Sequence, residues 1–200
     1  VAAVPAMILR VGFVGELGYE VHVPASQGEA LWDALMEAGK PESIRPFGVE
    51  AQRLLRLEKG HIIINQDTDG LTHPFEADMA WAIARKKPYF VGMRSIAIQN
   101  ARGIERKLVG FTVVEEAPPG SEAPVPKECH LVVRDGTITG RVTSCGFSHV
   151  LGKVIGLAYV APDQAAVGSR FTIKIEQGRL IEAQVAAMPF YDPDGKRQEM

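Results

Sequence analysis

Two kinds of apolar spacing divide this chain. In its second half, apolar positions alternate with others in short runs at 107–114, 131–133, 140–143, 154–159, 171–175 and 180–186. That is the period of a pleated strand with one buried face. Turn chemistry separates the runs: Asp135-Gly136, Gly152-Lys153, Ala161-Pro162-Asp163 and Gln177-Gly178. Short strands at such spacing predict a small antiparallel barrel. The prolines at 118, 119, 124 and 126 mark a semi-rigid surface loop over 115–126.

The first half mixes helical and strand periods. Ala30, Leu31, Ala34, Leu35 and Ala38 share one helix face, and Trp32 flanks the stripe. Ser26 and Glu29 fit a capping box at the start of this helix, and Gly39 fits its end. A second helix is expected from 48 or 49 to 59, burying Ala51, Leu54, Leu55 and Leu57, with Gly60 as its stop. Glu50, Gln52, Arg53, Arg56, Glu58 and Lys59 then ring its other sides, with Arg53 and Arg56 in local ion pairs with Glu50 worth about 0.3–0.5 kcal/mol each. A third helix, 93–101, is anchored by Ile96 and Ala97 and ended by Gly103.

Strand character is read in three further places. Residues 4–23 predict a hairpin, with Val11 and Phe13 on the first strand and Tyr19, Val21 and Val23 along one face of the second. Gly15 and Gly18 supply its turn. The runs 61–64 and 75–84 also read as strands, the latter with Ala77, Met79, Trp81 and Ile83 alternating and Trp81 on the apolar face. The sum is an α+β chain with a boundary near Gly103, giving units 1–103 and 104–200.

Composition narrows the function. The apolar fraction of 46% and charged fraction of 23% are those of a globular protein, and no apolar run reaches the ~18 residues of a membrane span. A formal charge of -2 argues against a nonspecific nucleic-acid binder. Cys129 and Cys145 have no metal-like spacing and suggest a reduced, cytoplasmic setting. The five histidines form no ligand pair, so no metal is expected. Residues 65–70 superficially suggest a calcium loop but lack its ligand spacing. Cys145 reads as a small buried residue on a barrel strand.

Glu20 is the leading candidate for chemistry. A carboxylate beside a tyrosine and a glycine turn can hold an amidine-like heterocycle through two parallel hydrogen bonds. The plainer reading is a solvated glutamate on a strand face.

Several ordered stretches resemble the tetrahydrofolate-binding aminomethyltransferase family, the T-protein family of glycine cleavage. They are Gly15-Glu-Leu-Gly-Tyr-Glu20, Leu55-Arg-Leu-Glu58, and Gln66-Asp67 with Pro74, Glu76 and Trp81. The barrel adds Gly140-Arg-Val-Thr-Ser144, Ala158-Tyr-Val160 and Met188-Pro-Phe190. Within the family, the segment from Arg45 to His61, with residues 66–70, is most similar to the C-terminal folate module of the sarcosine oxidase alpha subunit. The resemblance implies a partial folate domain followed by a small antiparallel barrel. It implies tetrahydrofolate as the small-molecule partner, bound by Glu20, Gln52, Trp81 and Tyr19.

Gln52 stands where aminomethyltransferases have arginine, His149 stands where proline is common, and the family's catalytic aspartate has no counterpart here. The chain is therefore expected to be an inactive fragment of a longer enzyme, its catalytic residue unknown. The first reading is the sarcosine oxidase alpha module, with FAD, FMN, NAD and the other subunits belonging to the rest of that enzyme. The alternatives are a glycine-cleavage aminomethyltransferase and a non-catalytic scaffold with the folate fold.

Overall fold

The computed structural model describes residues 4–84, 86–115 and 124–199. Most of the proline-rich loop, 116–123, and Arg85 lie outside the described residues.

Six antiparallel strands close a barrel: β3 (Lys107–Val113), β4 (Leu131–Arg134), β5 (Thr137–Ser148), β6 (Lys153–Val160), β7 (Arg170–Lys174) and β8 (Leu180–Ala186). Their order is β3-β6-β5-β4-β7-β8, and β3 pairs again with β8. Alternation sets the inside, where Phe171, Ile173, Ile181, Ala183 and Val185 point inward and their neighbours do not. Phe111 and Phe171 meet edge to face at 5.7 Å. Gly156 makes room for them, since a Cβ there would lie 2.4 Å from the Phe111 ring.

β5 runs longer than its apolar pattern predicts. Its register against β6 shifts between Val142 and Ser144, so two residues of β5 oppose one of β6. Such a bulge redirects side chains. Here the consecutive residues Thr143 and Ser144 both reach the same acceptor outside the barrel, the carboxylate of Asp67.

Two strands precede the barrel, β1 (Met7–Arg10) and β2 (Tyr19–His22), paired with Leu9 opposite Glu20. The first strand thus lies before Val11, and 11–18 is its connecting loop. Gly15 there has φ +83°, and a Cβ on Gly18 would lie 2.9 Å from the Val11 carbonyl oxygen. Three helices follow among the described residues: α1 (Gly28–Ala38), α2 (Val49–Glu58) and α3 (Met93–Arg102). α1 begins after a 3-10 turn, Ala25–Gln27, and no side chain caps it, so the capping box is not formed.

The runs 61–64 and 75–84 are not strands. Asp67 donates its N–H to the Ile63 carbonyl and accepts the Ile63 N–H on its carboxylate, which folds the first into a turn. The second is a series of turns ending in a 3-10 turn, Ala80–Ala82. α2 lies against β5 and β6, where Leu57 joins Leu108, Ile155, Leu157 and Tyr159 in a second core outside the barrel.

Candidate functional site

The seam between α2 and the barrel holds a buried polar network that helical periodicity had placed in solvent. Arg56 is 1% exposed and Asp67 0%. Arg56 Nη1 donates to Asp67 Oδ2 at 2.7 Å, and its Nη2 to Ser144 Oγ at 2.6 Å. The other Asp67 oxygen accepts from Thr143 and Ser144, each at 2.6 Å. The Tyr159 hydroxyl donates to the Asp67 carbonyl at 2.8 Å. Burial pushes the Tyr159 pKa up, which keeps that hydroxyl a proton donor. Glu58, also expected on the surface, is 3% exposed and accepts from Ser148 at 2.6 Å. A charge survives such burial only when it is paired and hydrogen-bonded; the Arg56–Asp67 pair meets that condition, although Arg56 Nε has no partner among the described residues.

Arg56 also fixes the chain that follows α2. Its carbonyl accepts the His61 N–H at 2.9 Å, and its guanidinium donates to the His61 carbonyl at 2.9 Å. The His61 side chain is held from the other side: Nδ1 lies 2.7 Å from the Phe13 carbonyl oxygen, and the two rings stack at 6.0 Å. His61 and Phe13 thereby form one wall of a groove of about 410 Å³, whose other walls include Trp81, Met79, Met188 and Pro189. Lys59 and Asp78 are the charged residues on its rim, each already paired, with Asp192 and Lys107 respectively. A concave, largely apolar space with a few fixed polar groups is the usual form of a small-molecule site.

Of the residues the sequence singles out, Trp81 lines this groove and is 79% exposed, standing on a 3-10 turn rather than a strand. Glu20 and Tyr19 lie on β2. The Glu20 carboxylate is 3.1 Å from His22 Nε2, two residues along the same face, and Glu20 is not among the groove's lining residues. Gln52 is exposed on α2. Sequence reasoning missed His61, Arg56 and Asp67. The available signal was their presence in stretches quoted for the resemblance, Arg56 within 55–58, Asp67 within 66–67 and His61 at the end of 45–61.

The C-terminal segment straps the hairpin loop to this assembly. The Leu17 N–H donates to the Arg197 carbonyl at 3.0 Å, and Arg10 donates to the Gln198 carbonyl at 2.7 Å. Tyr191 donates its N–H to the Glu58 carbonyl at 3.0 Å, and Lys59 donates to the Asp192 carbonyl at 2.6 Å. Cys145 donates to the Pro126 carbonyl, and burial, then Glu128, pushes its pKa up to about 12.

Comparison with known proteins gives this geometry a lineage. The GCVT N-terminal domain matches residues 1–87, and the glycine cleavage T-protein C-terminal barrel domain matches residues 106–192. An aminomethyltransferase of Halothermothrix orenii is 36% identical over 92% of this chain and 49% of its own length. The sarcosine oxidase subunit alpha of Corynebacterium sp. strain U-96 is 33% identical over 99% of this chain and 21% of its own. The crystal structure of glycine cleavage system aminomethyltransferase T from Bartonella henselae superposes with a TM-score of 0.82 at 24% identity, covering 93% of this chain and 50% of that one. The chain thus spans about half the length of the aminomethyltransferases it matches. With both domains matched in order over residues 1–87 and 106–192, the chain belongs to the glycine cleavage T-protein family.

Proposed function

We propose that this chain is part of a tetrahydrofolate-dependent aminomethyltransferase, and that it supplies one side of the site where a one-carbon unit passes to the folate. The observation that carries this is the groove beside Trp81. Its volume of about 410 Å³ lies in the range of small-molecule pockets, and its aromatic and methionine walls suit a flat ring. When bound, the folate supplies the nitrogen that accepts the one-carbon unit. Of this chain's residues, Trp81 offers a face for stacking in the groove, and Glu20, outside the groove's lining, is assigned the donors of the pterin edge by the motif resemblance alone. Tyr19 and Gln52, which do not line the groove either, are carried over as folate contacts by the same resemblance. Gln52 can hydrogen-bond but carries no charge to hold a carboxylate tail. Rate would come chiefly from holding the two reactants in register. We place the boundary between the folate-facing unit and the barrel unit near Gly103, in the gap between the two matched domains. The two unpaired cysteines fit a cytoplasmic setting.

A second reading, the folate module of a sarcosine oxidase alpha subunit, is favoured by Gln52 and by a match along 99% of the chain. The motifs put it first, but relatives named aminomethyltransferase are at least as similar, so the order is reversed here. In that reading the flavins, NAD and the partner subunits belong to other parts of the assembly. Titration of the full-length protein with tetrahydrofolate tests the common core. Glu20→Ala and Trp81→Ala are each expected to weaken binding by about tenfold or more, and unchanged affinity removes that residue from the site. Turnover with an aminomethylated lipoyl carrier, or with sarcosine, separates the two enzymes. Absence of any folate binding leaves the scaffold reading.

A further inference from the structure

We infer that His61 is the hydrogen-bond acceptor through which the Trp81 groove takes a ring N–H of its ligand. The inference rests on the folate reading above and gives a role to His61, which the motifs include without assigning it one.

The argument begins with the tautomer. A carbonyl oxygen can only accept, so the 2.7 Å contact between His61 Nδ1 and the Phe13 carbonyl requires the proton on Nδ1. In the neutral imidazole, Nε2 then carries the lone pair. No hydrogen bond to Nε2 occurs among the described residues, and His61 is one of the residues lining the groove. Stacking on Phe13 at 22° between planes fixes the ring's tilt. The backbone is fixed too, because both its N–H and its carbonyl are bonded to Arg56, which the buried pair with Asp67 holds in place. The groove thus contains an acceptor whose position and tautomer are set before any ligand arrives. Preorganisation of this kind reduces the ordering cost of binding.

The chemical class follows from what surrounds it. Trp81, Met79, Met188 and Pro189 offer flat and apolar contact, and a neutral nitrogen lone pair among them accepts from N–H or O–H. A planar, fused heterocycle with ring N–H groups satisfies both, as the reduced pteridine of tetrahydrofolate does. The charged groups facing His61 are Lys59, bonded to Asp192, and Asp78, paired with Lys107 at 3.5 Å. Neither is hydrogen-bonded to the imidazole among the described residues, so neither competes for the Nε2 lone pair.

Tetrahydrofolate affinity of the full-length protein, measured anaerobically at neutral pH, tests this. His61→Leu removes the acceptor and should lose about tenfold, the worth of one hydrogen bond. His61→Gln restores an acceptor and should keep most of the affinity. Nitrogen-15 spectra of the free protein should place the neutral proton of His61 on Nδ1. Wild-type affinity in His61→Leu, a loss in His61→Gln as large as in His61→Leu, or a proton on Nε2 overturns the inference and leaves the folate reading standing. A wild type that binds no tetrahydrofolate overturns both.

Discussion

Replacing Asp67 by alanine should be among the most damaging single changes in this protein. The carboxylate is 0% exposed and accepts from Arg56, Thr143, Ser144 and the Ile63 N–H. Its loss leaves the Arg56 cation, 1% exposed, without a counter-charge, and it frees a turn N–H. Thr143 can turn to the Leu157 carbonyl, already 3.3 Å away, and Ser144 Oγ still receives Arg56 and Gln66, so the hydroxyls soften the loss. The uncompensated charge dominates. Removing one partner of a buried pair costs about 3–5 kcal/mol, which for 200 residues lowers Tm by roughly 6–20 °C. Arg56→Met should cost less, because the carboxylate keeps its other three donors. Urea titrations followed by circular dichroism, compared at equal m-value, give both numbers. A loss under about 1 kcal/mol for Asp67→Ala, or Arg56→Met more damaging than Asp67→Ala, would refute the reasoning.

Three further outcomes are expected. Gly140→Ala should cost at least about 2 kcal/mol in the same assay, since its Cβ would lie 1.9 Å from the Tyr159 carbonyl oxygen, in backbone that β5–β6 pairing holds. Cys129 is exposed and should react with a thiol reagent in the native protein, while Cys145, raised to about 12, should react only on unfolding. The same shift makes the unfolded state lose its proton first, so stability should fall as pH rises from about 9 toward 12, and less steeply in Cys145→Ala. Deleting residues 193–200 should raise hydrogen exchange at the Leu17 amide, which donates to Arg197, and leave barrel amides protected.

The barrel was legible because its strands bury one face each: alternation names Ile173 and Ile181 as inward before any partner is known. The helices were legible for the same local reason, and their ends fell within a residue or two of Gly39, Gly60 and Gly103. The hairpin's first strand was misplaced because Val11 and Phe13 alternate as well as the residues before them do. Only pairing chose between the two, setting Leu9 against Glu20. Trp81 was given a strand face because alternation at 77–83 mimics one, whereas the backbone there spends its hydrogen bonds in turns.

What the sequence determined by itself is therefore whatever depends on neighbours within a few residues: the period of each element, its stops, and the order of motifs that carries the family. Tertiary structure decided which charges are buried and which polar groups point into a groove. Arg56 looks like any solvated helix arginine until Asp67 and Ser144, 11 and 88 residues away, close around it. His61 has no defined tautomer until Phe13, 48 residues earlier, presents its carbonyl. The energy of a buried charge, and the direction of a lone pair, are set by atoms brought close in space, and no local period records them.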